Sequence, residues 1–243
     1  MQRLNVLVAC EESQAVCKAF RKLGHFAFSC DLQECSGGHP EWHIKGDVLN
    51  VLEWEDHGNN VGGIWFYTCN GEFHAIEEWD LIIAHPPCTY LTVTGNRWFN
   101  VERYGDKARQ RIKDREDAIR FFMSFTKTVC THVAIENPIG VISTAYRKPD
   151  QIIHPYHFGH RERKATCLWL KGLPKLEYTN VVEPVIIKYK NGKGTDNPWH
   201  MNTMKLPPDE RAKIRSKTFP GIADAMAKQW SEYILRTDYG ETR

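Results

Sequence analysis

The sequence lacks several features that would assign it to a structural class at once. No apolar run approaches the roughly 20 residues of a bilayer-spanning helix, and there is no internal repeat or low-complexity tract. The eight cysteines include no C-x-x-C pair, and the apolar run at Asn5 to Ala9 lies too early and is too brief for a signal peptide. We therefore expect a cytoplasmic protein with mostly free thiols and no membrane association.

A large excess of charge of one sign is also missing. The chain has 32 Lys and Arg against 30 Asp and Glu, a formal net charge of +2. Contact with nucleic acid would therefore depend on a local patch. With 243 residues, 42% of them hydrophobic, the chain can bury one sizeable core, and we expect one principal domain.

Short apolar runs alternate with helical patterns along the chain. A hairpin is predicted around Asn70-Gly71, and a first helix with Ser13 as its cap and Gly24 at its end. Further helices are predicted at 106–130 and from Pro207 onward. Strands are predicted at 5–9, 26–31, 80–84, 133–137 and 165–170. This alternation predicts an α/β fold with a mostly parallel central sheet, helices on both faces, and a functional site at the carboxyl ends of the strands.

Reactive side chains follow three of these predicted strands. Cys88 lies behind two prolines that fix the backbone, and Glu136 ends the next long strand. Arg161 and Arg163 alternate just before the strand at 165–170, so we expect them to point the same way. Taken alone, a free cysteine is more often buried and structural. The ordered set instead favours a nucleophile, since nearby cations lower the pKa of a thiol.

These elements, in this order, resemble the cytosine-C5 DNA methyltransferase family. The family has a Pro-Cys loop ("HPPCTYLTVTG" here), a Glu-Asn-Val element ("ENP" here) and an Arg-x-Arg element before a strand ("RER" here). Three further stretches resemble elements of the same family. "KGDVLNV" is similar to its Gly-Asp-Ile element, "LPPDERAKIRSKTFP" to its late helix, and "GIADAMAKQWSEYIL" to its closing helix. Thr89 and Pro138 depart from the family's glutamine and valine. The resemblance covers most of the chain and indicates a compact, phage-type or restriction-associated member.

The resemblance implies a Rossmann-like, S-adenosylmethionine-dependent methyltransferase fold acting on DNA, as a monomer or weak dimer. Cys88 would attack C6 of a flipped cytosine, and Glu136 would bind its N3 and amine edge. Arg163 would hold the base O2 and Arg161 a flanking phosphate. Residues 1–170 would form the catalytic and cofactor-binding domain, 171–206 a small target-recognition segment, and 207–243 helices that pack back. So short a recognition segment predicts short or relaxed sequence specificity.

The resemblance also implies a set of contacts to S-adenosylmethionine. Asp31 would bind the ribose, Asp47 and Val48 the adenine, and Glu11 or Glu12 the ammonium group. The set comprises Ala9, Cys10, Glu11, Ser13, Asp31, Leu32, Asp47, Val48 and Pro86. The first turn departs from the family, because Cys10, Glu11 and Glu12 replace its glycines. No metal is expected, since Cys30, Cys35, His39 and His43 do not follow a common zinc pattern.

Two other functions fit parts of the sequence. "HPPC" can be interpreted as a variant of the Pro-Pro-Tyr loop of exocyclic-amino methyltransferases, although the aromatic residue is missing. The unusual first turn also fits a methyltransferase-like protein that binds nucleic acid without catalysis. Identification of the methylated base separates the first alternative from the leading hypothesis, and titration with S-adenosylmethionine separates the second.

Overall fold

The computed structural model describes residues 2–56, 62–189 and 194–240. The remaining residues, 1, 57–61, 190–193 and 241–243, lie outside this description. They belong to the predicted segments 1–170, 171–206 and 207–243. The strands are β1 (Asn5–Ala9), β2 (Phe26–Asp31), β3 (His43–Lys45), β4 (Glu55–Asp56), β5 (Gly62–Tyr67), β6 (Phe73–Ile76), β7 (Leu81–Ala84), β8 (Val133–Pro138), β9 (Gln151–Ile153), β10 (Thr166–Lys171), β11 (Ile187–Lys188) and β12 (Thr195–Asp196). The α-helices are α1 (Ala15–Lys22), α2 (Val101–Tyr104), α3 (Asp106–Lys127), α4 (Ile142–Ala145), α5 (Pro198–Met204), α6 (Pro208–Ser216) and α7 (Pro220–Thr237).

A seven-stranded sheet forms the centre of the protein, in the order β3-β2-β1-β7-β8-β10-β9. Its neighbouring strands are parallel from β3 to β8, which confirms the predicted α/β fold with a mostly parallel sheet. Strand β10 runs antiparallel to both β8 and β9. The chain returns from β9 to β10 without a crossover helix, and such a direct connection joins antiparallel strands.

Both faces of the sheet are covered, as predicted. Side chains alternate across a strand, so β1 sends Val6 and Val8 to one apolar cluster and Leu7 to the other. The first cluster packs the sheet against α1 and α7. The second packs it against Phe122 and Phe125 of α3 and against the inserted strands.

The predicted hairpin is confirmed. Strands β5 and β6 pair antiparallel, and their turn contains Gly71 at φ +86°, a left-handed conformation that glycine adopts readily. The inner face of the hairpin stacks Phe66 on Trp79, with ring centroids 5.7 Å apart, and both rings meet Phe28 of β2. The insertion is therefore anchored to the main core.

Several predicted boundaries were wrong. Gln14, at φ 55°, takes the N-cap position of α1, although its side chain makes no capping hydrogen bond to the helix. Ser13 is therefore not the cap. Helix α3 ends at Lys127, before the predicted end at 130, and Val129 is 77% exposed. Strands β3 and β9 and helix α5 lacked a recognisable periodicity because they are short. None of the helices in the described ranges is both long and apolar enough to cross a membrane.

The strand order places a crevice next to β1. From β1 the chain proceeds to β2 on one side, whereas β7 lies on the other side. In doubly wound sheets, the loops that leave such neighbouring strands diverge, and ligands bind in the gap between them. Residues 10–14 and 85–88 follow β1 and β7 at this edge.

Candidate active site at the carboxyl ends of the strands

The loop after β7 presents Cys88 at the surface. Cys88 is an exposed, free cysteine, and its carbonyl accepts hydrogen bonds from the backbone N–H groups of Leu91 (3.0 Å) and Thr92 (3.1 Å). Two side chains of α3 secure the next turn. Arg115 Nε donates to the Tyr90 carbonyl at 2.8 Å, and Arg111 Nη2 donates to the Thr89 carbonyl at 3.4 Å. Hydrogen bonds from the loop's own backbone and from α3 therefore fix the loop that contains the Cys88 thiol.

Glu136, near the end of β8, lies beside this loop. Ala84 of β7 pairs with Ile135 of β8, which brings the residue after each into contact. His85 Nδ1 donates to Glu136 Oε2 at 3.0 Å, and both side chains are largely buried. Asn137 Nδ2 also donates to the Pro86 carbonyl at 2.7 Å. The ends of the two strands are thus joined by side-chain hydrogen bonds.

Lys164, just before β10, is the cation that acts on this group. Burial opposes ionisation of Glu136, but the His85 hydrogen bond and the charge of Lys164 outweigh it, so the pKa of Glu136 is lowered. Although Cys88 is exposed as a residue, the protein atoms around its thiol partly desolvate it; this desolvation and the Glu136 carboxylate raise the pKa of Cys88, and Lys164 opposes them. Near neutral pH the free protein therefore holds an ionised Glu136 and a protonated Cys88.

The two arginines predicted for this site make other contacts. Arg161 Nε donates to the Glu183 carbonyl at 3.1 Å, and Arg163 Nη1 donates to Thr195 Oγ1 at 3.4 Å. Both residues are exposed and precede the first residue of β10, so the alternation expected of a strand does not govern their direction. Their roles toward the base and the phosphate stay predictions.

Lys164 was missed in the sequence, although it stands directly before "ATCLWL". Its Nζ donates to the Arg215 carbonyl at the end of α6, at 2.8 Å. Helix C-termini carry partial negative charge, so this contact suits an ammonium group. It also links the last helical part of the chain to the Cys88 and Glu136 region.

The first turn uses its two adjacent glutamates differently. Glu11 Oε1 accepts from the Val16 backbone N–H at 2.6 Å, and Oε2 accepts from the Cys17 N–H at 3.1 Å. Glu11 therefore caps α1, the role predicted for Ser13. Glu12 is 7% exposed, and neither of its carboxylate oxygens has a hydrogen-bond partner in the described part of the chain. A buried, unpaired carboxylate is costly unless a ligand completes it.

Several other residues predicted to bind a cofactor cluster near this turn. Cys10, directly after Ala9 and at φ 58°, has a pKa raised by burial, then by Asp31, Cys30 and Asp47. The carboxylates of Asp31, at the end of β2, and of Asp47, after β3, thus approach the end of β1. Asp31 Oδ1 accepts from the Gln33 N–H at 2.9 Å, and Asp47 Oδ1 from the Leu49 N–H at 3.0 Å.

The apolar members of the predicted set divide by exposure. Leu32 is 72% exposed, whereas Val48 and Pro86 are buried. Leu32, directly after β2, therefore leaves an apolar surface exposed next to Asp31 in the chain. No group of three or more His, Cys, Asp and Glu side chains in the described ranges is placed to hold a metal ion.

A surface rich in arginine and aromatic residues follows the Cys88 loop. Arg97 lies 4.7 Å from the ring centroid of Trp98, Arg103 lies 5.3 Å from that of Tyr104, and the two rings are 5.1 Å apart. Arg97, Trp98 and Arg103 are exposed. Cations beside neighbouring aromatic rings are typical of surfaces that bind nucleic-acid strands.

Comparison with models of known protein families found no match for this chain, and comparison with curated proteins found no similar sequence. The site itself therefore carries the functional argument. It defines an α/β protein with a thiol, a buried carboxylate and a cation at the switch point of its sheet.

Proposed function

We propose that this protein is an S-adenosylmethionine-dependent methyltransferase that acts on C5 of cytosine in DNA through a covalent Cys88 adduct. The observation that carries the proposal is the juxtaposition of Cys88 with Glu136, a buried carboxylate whose hydrogen bond from His85 fixes one oxygen. A thiol that attacks a ring, beside a carboxylate that binds the ring's polar edge, is the pair that this chemistry requires.

The fold supports a nucleotide-like cofactor at the end of β1. The Glu12 carboxylate, without a hydrogen-bond partner among the described residues, fits an ammonium group. Asp31 ends β2, where an acidic side chain meets a ribose in nucleotide-binding α/β folds. Asp47 and exposed Leu32 would line the adenine side. When bound, S-adenosylmethionine supplies an electrophilic methyl group.

In the proposed reaction, Cys88 forms a transient covalent bond to the cytosine ring. Cys88 loses its proton and its Sγ bonds to C6 of the cytosine, which moves the C5–C6 electron pair to C5. After C5 has gained the methyl group it loses its proton, the Sγ–C6 bond breaks, and Cys88 leaves as a thiolate. The thiolate then takes up a proton again, so one proton is released overall, from C5. The Glu136 carboxylate accepts from the exocyclic amine, and its contact with N3 requires a proton on one of the two partners, which N3 takes up as the ring is attacked. Lys164 offsets the charge that develops.

DNA is the proposed substrate because the surface beside Cys88 suits a nucleic-acid strand. The cations and the adjacent, tilted rings of this surface follow the loop that carries the thiol; they belong to Arg97, Trp98, Arg103 and Tyr104. A target base must leave the helix stack to reach such a thiol. Residues 171–206, of which 190–193 lie outside the described part, contain only β11, β12 and α5 after β10 ends. Short or relaxed specificity is proposed accordingly.

The test is mass spectrometry of DNA bases from a host that expresses the protein. We expect 5-methylcytosine with the wild-type protein and none with Cys88→Ala. Cys69→Ala is the matched control, because Cys69 is also an exposed free thiol but lies on the hairpin turn, and it should methylate normally. Undiminished 5-methylcytosine in Cys88→Ala would exclude the covalent route. Methylation on an exocyclic nitrogen would support the amino-methyltransferase alternative.

One observation favours a second candidate function. The pKa of Cys88 is raised, whereas a resting nucleophile is usually activated by a lowered pKa. A methyltransferase-like protein that binds nucleic acid without catalysis would show such a thiol. Calorimetric titration with S-adenosylmethionine separates the two, since only the enzyme must bind the cofactor.

A further inference from the structure

His85 is a buried titratable group that the proposed reaction does not yet use. It directly follows β7, and its backbone N–H donates to the Ala9 carbonyl at 2.9 Å, which extends the pairing of β7 with β1. Its side chain is 8% exposed and donates through Nδ1 to Glu136 Oε2 at 3.0 Å. His85 thus lies between the ends of β1 and β8, close to Cys88 in the chain.

Charged groups act on His85 from three other parts of the fold. Burial disfavours the imidazolium, but the hydrogen bond and charge of Glu136 on β8, with Glu11 after β1, outweigh burial and raise the pKa of His85. Lys164, before β10, acts in the opposite direction. The imidazolium is therefore held between two carboxylates, with an ammonium group beside them.

The other ring nitrogen of His85, Nε2, lacks a hydrogen-bond partner among the residues that the structure describes. This nitrogen is also buried. Buried polar atoms usually have hydrogen-bond partners, so a core histidine that served packing alone would have a partner at each ring nitrogen or would carry no charge. The contacts point to a residue whose charge is used.

We propose that His85 is the positioning residue of Glu136: its imidazolium holds one carboxylate oxygen, fixes the direction of the other toward the substrate, and makes methyl transfer depend on the protonation of His85. This inference rests on the proposed function.

The pH dependence follows from the signs of the interaction. Below the lowered pKa of Glu136 the carboxylate is protonated, and the charged hydrogen bond is lost. Above the raised pKa of His85 the imidazole is neutral and no longer holds the carboxylate by charge. The rate of transfer should therefore fall at high pH through the titration of His85, and the two groups should titrate as a coupled pair.

The first experiment compares pH profiles of kcat for the wild-type protein and His85→Asn. Asparagine can still donate an N–H to Glu136 but cannot carry the charge. We expect the alkaline fall to disappear and the acid limb to move upward by about one pH unit, the low end of the effect of an opposite charge at contact distance. His39→Asn is the matched control, because His39 Nδ1 forms a 2.8 Å bond with Glu41 at the surface. Superimposable profiles for wild type and His85→Asn would overturn the proposal.

A second experiment needs neither a substrate nor a folded His85 variant. The imidazole nitrogens of 15N-labelled wild-type protein are titrated by NMR, with His85 assigned through its backbone. We expect a pKa above the ordinary histidine value of about 6.5, and a lower one in Glu136→Gln. An ordinary His85 pKa that Glu136→Gln leaves unmoved refutes the pairing, even if DNA is methylated. Methylation that persists in Cys88→Ala refutes the proposed function but not the titration.

Discussion

Glu11 and Glu12 are neighbours in the chain that should respond in opposite ways to the same substitution. Glu11 binds two backbone N–H groups in the first turn of α1, at 2.6 and 3.1 Å. Glu11→Ala leaves both donors without their acceptor inside the protein. Loss of a helix cap costs about 1 kcal/mol, and hydrogen bonds to a charged group contribute about 1.5–3 kcal/mol each before the desolvation of the carboxylate is subtracted. We expect a net loss of roughly 2 kcal/mol.

Glu12→Ala removes a buried carboxylate that makes no hydrogen bond within the described residues. Since an unsatisfied buried polar group costs about 1–3 kcal/mol, the variant should be as stable as the wild type or more stable. Its affinity for S-adenosylmethionine should fall at least about tenfold if this carboxylate binds the ammonium group, because a charged hydrogen bond is then lost. The two substitutions therefore separate stability from binding.

Calorimetric melting provides the assay. For a chain of this size 1 kcal/mol shifts Tm by about 2–4 °C, so Glu11→Ala should melt roughly 4–8 °C below the wild type. Burial raises the pKa of Glu11, so the wild-type protein loses part of this stabilisation as the pH rises through the folded-state pKa, and the gap should narrow at high pH. Equal Tm losses in Glu11→Ala and Glu12→Ala would refute the distinction between them.

Two further predictions concern the charges around Cys88. Lys164→Gln should reduce the rate of methyl transfer about tenfold or more, whereas Arg163→Gln should reduce it less. Single-turnover rates on a short duplex measure both effects, and a larger loss in Arg163→Gln would contradict the role of Lys164. The alkylation rate of Cys88 by iodoacetamide should reach half its maximum above the pH of an ordinary thiol, because burial and Glu136 raise its pKa. Glu136→Gln should move that midpoint downward, and a midpoint that does not move would contradict the electrostatic coupling.

The prediction of Cys88 and Glu136 as neighbours depended on information that is local in the sequence. Each follows or ends an apolar run, and both strands belong to the parallel part of the sheet, whose carboxyl ends share one edge. The strand predicted at 165–170 and the helix predicted after Pro207 both pack into the core, where Trp169 and Trp230 are buried. Periodicity and strand ends are readable because they repeat within a few residues.

Other features required the folded chain. Whether Glu11 or Glu12 turns toward α1 depends on the backbone after Cys10, with its positive φ. The position of Lys164 depends on β10 running antiparallel, which no local pattern encodes. Arg115 lies in the helix predicted at 106–130, but only the fold brings its Nε to the Tyr90 carbonyl beside the Cys88 loop.

By itself, the sequence determined the α/β class, the parallel strands and the thiol and carboxylate at their ends, because those properties follow from hydrophobic period and chain order. Only the tertiary structure decided which groups share charge: His85 with Glu136, Lys164 with both, and Glu11 with α1. Electrostatic coupling depends on distance and burial in space, and residues far apart in the chain acquire both only when the sheet is assembled.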